Sequence, residues 1–142
     1  MINTNLTRKA MIIAYNAHHN QFDKSNVPYI YHPIHLAEQM DSEEECIVAL
    51  LHDVVEDTTV TMEELEKEFP KKIIDALKLL THNKDIDYME YIKTIKNNNI
   101  ARKVKLADLN HNSDITRLEK VTPEDIERKG KYSKAIEYLE KE

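Results

Sequence analysis

Apolar residues recur at three-to-four spacing from Leu6 through Ala10, Ile13, Ala14 and Ala17, which predicts a first helix over 6–17 with one buried face. The period fails through 18–31, HHNQFDKSNVPYIY, where Pro28 falls, and a loop is expected there. Pro33 suits a first-turn position, so a second helix should begin near it and run through Ile34, Leu36, Ala37 and Met40. Because of Pro33, His32 is expected outside the helical region, at a loop–helix junction. Ser42-Glu43-Glu44-Glu45 has capping-box spacing, with Glu45 able to reach back. The helix it opens, CIVALLHDVV, is apolar on nearly every side from Cys46 to Val55 and belongs in the centre of a core.

Thr61 to Glu64 repeats the capping signal and opens a helix towards Phe69, after which Pro70 starts KKIIDALKLL. Asp87 is placed to cap YMEYIKTIKN, and Asn97 to Asn99 read as a stop. A further helix is predicted over 100–112. Thr122-Pro123 starts the last, on which only Ile126, Ala135, Ile136 and Leu139 are expected to pack, leaving Tyr132 and Tyr138 exposed.

With one glycine and four prolines among 142 residues, long turn-poor elements are favoured over barrels and sandwiches. The expected fold is an all-α helical bundle forming a single domain over 1–142. A formal charge of −6 without any long basic run argues against nucleic acid as a partner. No apolar run approaches membrane-spanning length and MINTNLTRKA lacks a signal-peptide core, so neither membrane association nor export is expected. Cys46 is alone and reads as a buried thiol. A cytoplasmic location fits these features; self-association is left open.

Candidate chemistry enters at the end of the third helix. His52, Asp53, Glu56 and Asp57 stand three and four residues apart, close together on a helix surface. Carboxylates so placed repel one another, and burial and the negative helix end add to the cost. No lysine or arginine lies within the segment. A histidine beside carboxylates is a common ligand set for a divalent transition metal, while a solvated helix end with its acids in water is an equal alternative. Asp108 also lies in an apolar helical stretch, Lys105 to Asn112, with no partner assigned before it. It needs a compensating group, or is simply hydrogen-bonded within a bundle. His32 is either structural or aimed into a cavity. Together His32, His52, Asp53 and Asp108 would offer two nitrogens and two carboxylates, with coordination positions left for water and substrate.

The stretches 17–33 (AHHNQFDKSNVPYIYHP), 52–58 (HDVVEDT) and 105–112 (KLADLNHN) resemble the motifs of the HD superfamily of metal-dependent phosphohydrolases. They are closest to the hydrolase domains of the RelA/SpoT type and the small alarmone hydrolases, whose pattern runs AHxGQxRKxGxPYIxHP, HDVxEDT and KLADRLHN. The resemblance implies that His32, His52, Asp53 and Asp108 bind one Mn2+-like ion and that Glu56 and Asp57 handle the attacking water. It also implies that Lys24 meets phosphate and that Asn112 lies near the substrate, a small phosphorylated nucleotide. Lys105 is expected to be solvated. The pattern's arginine before Lys24 is Asp23 here, its two glycines are Asn20 and Asn26, and RLHNMRT has become 109–115, LNHNSDI. The implied activity is removal of the 3′-pyrophosphate of a guanosine alarmone such as ppGpp. The alternatives are an HD scaffold that senses a nucleotide or binds a protein without turnover, and a phosphatase of another nucleotide.

Overall fold

The computed structural model describes residues 1–141. Among them the chain forms nine α-helices: α1 (Asn5–Ala17), α2 (Tyr31–Glu38), α3 (Glu43–Leu51), α4 (Val54–Asp57), α5 (Met62–Glu66), α6 (Lys71–Leu80), α7 (Tyr88–Ile95), α8 (Asn99–Asn112) and α9 (Pro123–Glu140). One 3-10 turn, Ile115–Arg117, follows α8. The expected all-α class is what the chain adopts. Among the described residues no helix is long and apolar enough to cross a membrane.

Helix α3 is the axis of the bundle, with α1, α2, α6 and α8 packed around it. Its residues from Cys46 to Leu51 are all buried, the Cys46 thiol included, as an all-round apolar helix requires. Helix α9 closes the other side by lying along α8 and touching α7. Ala135 and Leu139 of α9 are buried, and Ile136, Tyr132 and Tyr138 pack half-buried against the core.

Helix ends follow side-chain chemistry. Thr122 Oγ1 accepts from Asp125 N while the Asp125 carboxylate accepts from Thr122 N, at 3.3 and 2.8 Å, a reciprocal box that satisfies two amides. Asn98 accepts from Ala101 N at 2.9 Å, so the asparagine run that ends α7 also begins α8. Asp87 caps α7 through Met89 N. The box expected at Ser42 is only half formed. Ser42 Oγ accepts from Glu45 N at 3.2 Å, but Glu45 accepts from Asp41 N and pairs with Lys103, both at 3.0 Å. Helix α5 stops at Glu66, short of the buried Phe69.

Four further expectations are corrected. Helix α2 begins at Tyr31, so His32 is helical. Ile30 already has right-handed helical backbone, and Tyr29 O, the acceptor that Pro33 cannot use, takes His32 N–H instead at 2.9 Å. The segment CIVALLHDVV is not one helix: α3 ends at Leu51, and Asp53 (φ −107°, ψ 1°) bends the chain into the separate four-residue α4, in the sparsely allowed region between helix and strand. On α9, Ile126 is 53% exposed, whereas Asp125 is buried; the inward place is taken by a carboxylate that caps its own helix and binds two cations. Tyr132 and Tyr138, expected in solvent, are the half-buried pair noted above.

Candidate metal centre

The bend after α3 brings the charged residues to one point. His32 comes from the first turn of α2, His52 from the C-cap of α3, Asp53 from the bend and Asp108 from the third turn of α8. One ligand atom from each of the four lies within 4.8 Å of the others. His32 Nε2 is 2.9 Å from Asp108 Oδ1, and His52 Nε2 is 2.9 Å from Asp53 Oδ2 and 3.5 Å from Asp108 Oδ1. His32, His52 and Asp108 are buried.

The donor set fits a divalent cation on its own chemistry. His52 Nδ1 donates to Ala49 O at 2.7 Å, so a neutral ring has its lone pair on Nε2. That buried Nε2 faces two carboxylates yet has no hydrogen bond of acceptable geometry. Lone pairs converging on one point need a positive charge between them. Without a metal, a proton fills that place: burial opposes it, but Asp53 and Asp108 raise the His52 pKa well above its ordinary value.

The surrounding contacts hold the carboxylates ionised and oriented. Tyr29 donates its hydroxyl to Asp53 Oδ2, and the ring of His18, tied through Nδ1 to Gln21, packs 4.8 Å from the Tyr29 ring. Lys105 Nζ sits 3.0 Å from Asp108 Oδ2 with its side chain only 14% exposed. The lysine expected in water is therefore the compensating group that Asp108 needs, one helical turn before it. Burial pushes the Asp108 carboxyl upward, but Lys105 and the two imidazoles hold it well below the usual carboxylate range. Asn112 donates to Asp108 Oδ1 at 3.0 Å.

Glu56 and Asp57 lie on α4, outside the four-residue cluster but on the same cleft of about 290 Å³. Glu56 Oε1 accepts from His82 N at 2.8 Å, and Gln21 Nε2 donates to Asp57 O at 3.0 Å. Partial burial, then the charges of Asp53 and Glu56, push the Asp57 carboxyl up to about 6. Tyr88, Tyr91, Tyr132 and Lys105 also line this cleft.

Lys24 stands elsewhere. It lines an adjoining cleft of about 390 Å³ that shares only Asn112 and Tyr132 with the first. Its ammonium pairs with Asp125 Oδ1 at 3.1 Å, the same oxygen that Arg128 holds at 3.0 Å. Asp23 turns inward on its own loop, accepting from Ser25 N and Val27 N at 2.8 and 3.0 Å, with Arg117 at 3.8 Å. Asn20 and Asn26 have φ of 66° and 64°, the left-handed region that asparagine tolerates better than most residues. Tyr29, Gln21, Arg117 and Arg128 were not singled out by sequence reasoning; only Tyr29 and Gln21 carried a signal, lying inside the stretch that includes His32.

Comparison with known proteins gives the same picture. The HD domain family matches residues 10–122. A Guanosine-3′,5′-bis(diphosphate) 3′-pyrophosphohydrolase of Borreliella burgdorferi is 36% identical over 121 residues, 73% of this chain and 18% of that protein. The Bifunctional (p)ppGpp synthase/hydrolase SpoT of Escherichia coli K12 is 39% identical over 74 residues, 49% of this chain and 10% of that one. The chain thus spans less than a fifth of the length of these relatives. A solved structure of a metazoan ortholog of SpoT that hydrolyzes ppGpp superposes with a TM-score of 0.79, covering 99% of this chain and 88% of that one. At 24% identity that likeness is one of fold.

Proposed function

The chain belongs to the HD domain family, and from that premise we propose that it is a metal-dependent hydrolase that removes the 3′-pyrophosphate of a guanosine alarmone such as ppGpp. The observation that carries this reading is the meeting, on one cleft, of His52, Asp53 and Asp108 from the four-residue cluster with two carboxylates that take no part in it. His32, His52, Asp53 and Asp108 are the ligands in this reading, and Mn2+ is the ion. When bound, such an ion supplies a more acidic water and neutralises charge developing on phosphorus.

The rest falls to side chains. Asp57, poised near pH 6, takes the proton of the attacking water, since a base works best with a pKa close to the working pH. Glu56, fixed by the His82 amide, orients that water. Asn112, shared by both clefts, spans from the metal side to the nucleotide. Water adds to the phosphorus attached to the 3′ oxygen and that P–O bond breaks; the 3′ oxygen takes up the proton that Asp57 removed from the water, giving pyrophosphate and the nucleotide's 3′ hydroxyl.

The test is pyrophosphate release from ppGpp with and without Mn2+, with Asp108→Ala as control. Mn2+-dependent release that the variant loses is the expected result; release retained by Asp108→Ala refutes the ligand assignment. One observation favours a second reading. Asp125 already satisfies both Lys24 and Arg128, leaving the adjoining cleft poor in free cations, which suits a module that binds a nucleotide without turnover. That reading predicts nucleotide affinity with no product after long incubation with metal. Orthophosphate in place of pyrophosphate would instead mark a phosphatase.

A further inference from the structure

His111 lies outside the four-residue cluster, yet it meets one member nitrogen to nitrogen. Its Nδ1 is 2.7 Å from Nδ1 of His32, with ring planes only 5° apart and centroids separated by 4.9 Å. Rings piled face to face would bring their centroids closer; nearly coplanar rings meeting edge to edge give this geometry. The contact is an N–H···N hydrogen bond, in which one nitrogen carries the proton and the other a lone pair.

The direction of that bond is set by what happens on the far side of His32. A ring nitrogen that holds a metal presents its lone pair, so the remaining nitrogen carries the proton and needs an acceptor. Nε2 of His32 faces Asp108 Oδ1 at 2.9 Å, inside the metal cluster. Its Nδ1 is therefore the protonated one in the loaded site, and His111 Nδ1 is the acceptor. His111 is suited to this: Arg117 donates to its main-chain oxygen at 2.8 Å, and the His35 ring lies against it at 4.2 Å.

We propose that His111 is a positioning residue that fixes His32 in its Nδ1–H form and so aims Nε2 at the metal, an inference that rests on the metal-centre reading above. Metal-bound histidines usually donate to a carboxylate or a main-chain carbonyl; here the acceptor is a neutral imidazole, which adds no further negative charge to the site.

The test compares metal affinity, by chelator competition on the full chain, in His111→Phe and His111→Gln. Phenylalanine keeps a ring and removes the acceptor; about 10- to 100-fold weaker binding is expected. Glutamine supplies a carbonyl oxygen and should recover most of that loss. Unchanged affinity in a folded His111→Phe protein overturns the proposal. Should that variant fail to fold, 15N spectra of the wild type loaded with diamagnetic Zn2+ decide. A protonated His32 Nδ1 facing an unprotonated His111 Nδ1 is expected, and the reverse assignment overturns the proposal. Neither measurement involves a nucleotide, so failure here leaves the hydrolase reading intact, and absence of pyrophosphate release leaves this one intact.

Discussion

Asp57 carries the most testable titration in the cleft. Its carboxyl is pushed up to about 6 in the fold, against roughly 3.9 for an aspartate in an unfolded chain. The folded state therefore binds the proton more tightly. The stability contributed by this group is complete below about pH 4 and is lost as pH rises through 6. Asp57→Asn removes the ionisation altogether. In protein stripped with EDTA, the variant should melt higher than wild type well above pH 6, and the gain should vanish well below about pH 4, where Asp57 is neutral in the folded and the unfolded chain alike; a constant difference across the range would show that charge is not its cause. At this scale the sequence was informative where a residue type had one plausible employment. His32, His52, Asp53 and Asp108 converge as expected. Lys105, expected in water, is buried on Asp108, and Lys24 pairs with Asp125. A lysine's long stem lets the same residue serve water or a buried carboxylate, and which one it serves depends on a tertiary neighbour.

Among the elements, α3 concentrates the cost of disruption. Leu50, the residue before its C-terminal one, is fully buried, so Leu50→Ala should cost about 2–5 kcal/mol, read from urea unfolding of the metal-free protein. A loss well under that would mean that the four helices around α3 can close on the gap. The existence of nearly every helix was legible from the three-to-four period and the caps, because both are local in sequence. The bend at Asp53 was not. Nothing in CIVALLHDVV lowers helix propensity sharply; at the bend His52 meets Asp108 of α8 and Asp53 meets Tyr29, and those contacts arise only in the assembled bundle. The inward turn of Asp125 in place of Ile126 has the same origin, since Lys24 lies about a hundred residues away along the chain.

Across the whole molecule, the four cluster residues tie α2, α3 and α8 together at a single point. A metal that binds only the folded chain should raise its melting temperature with concentration, by about 2.7 kcal/mol of stability at a hundred times the dissociation constant. Asp108→Ala should abolish that shift; a variant still stabilised by metal would place the ion elsewhere. The division of labour created by the bend has an evolutionary consequence as well. The cluster is built where α2, α8 and the end of α3 meet the bend at Asp53, whereas Glu56 and Asp57 hang from a four-residue helix tied to the rest by Gln21 and the His82 amide. A duplicated copy could drift at Gln21 or in the loop around His82 and lose the hydrolysis proposed above while the cluster residues stayed unchanged. Receptors would then descend from enzymes of this build by slackened moorings, with their metal still in place.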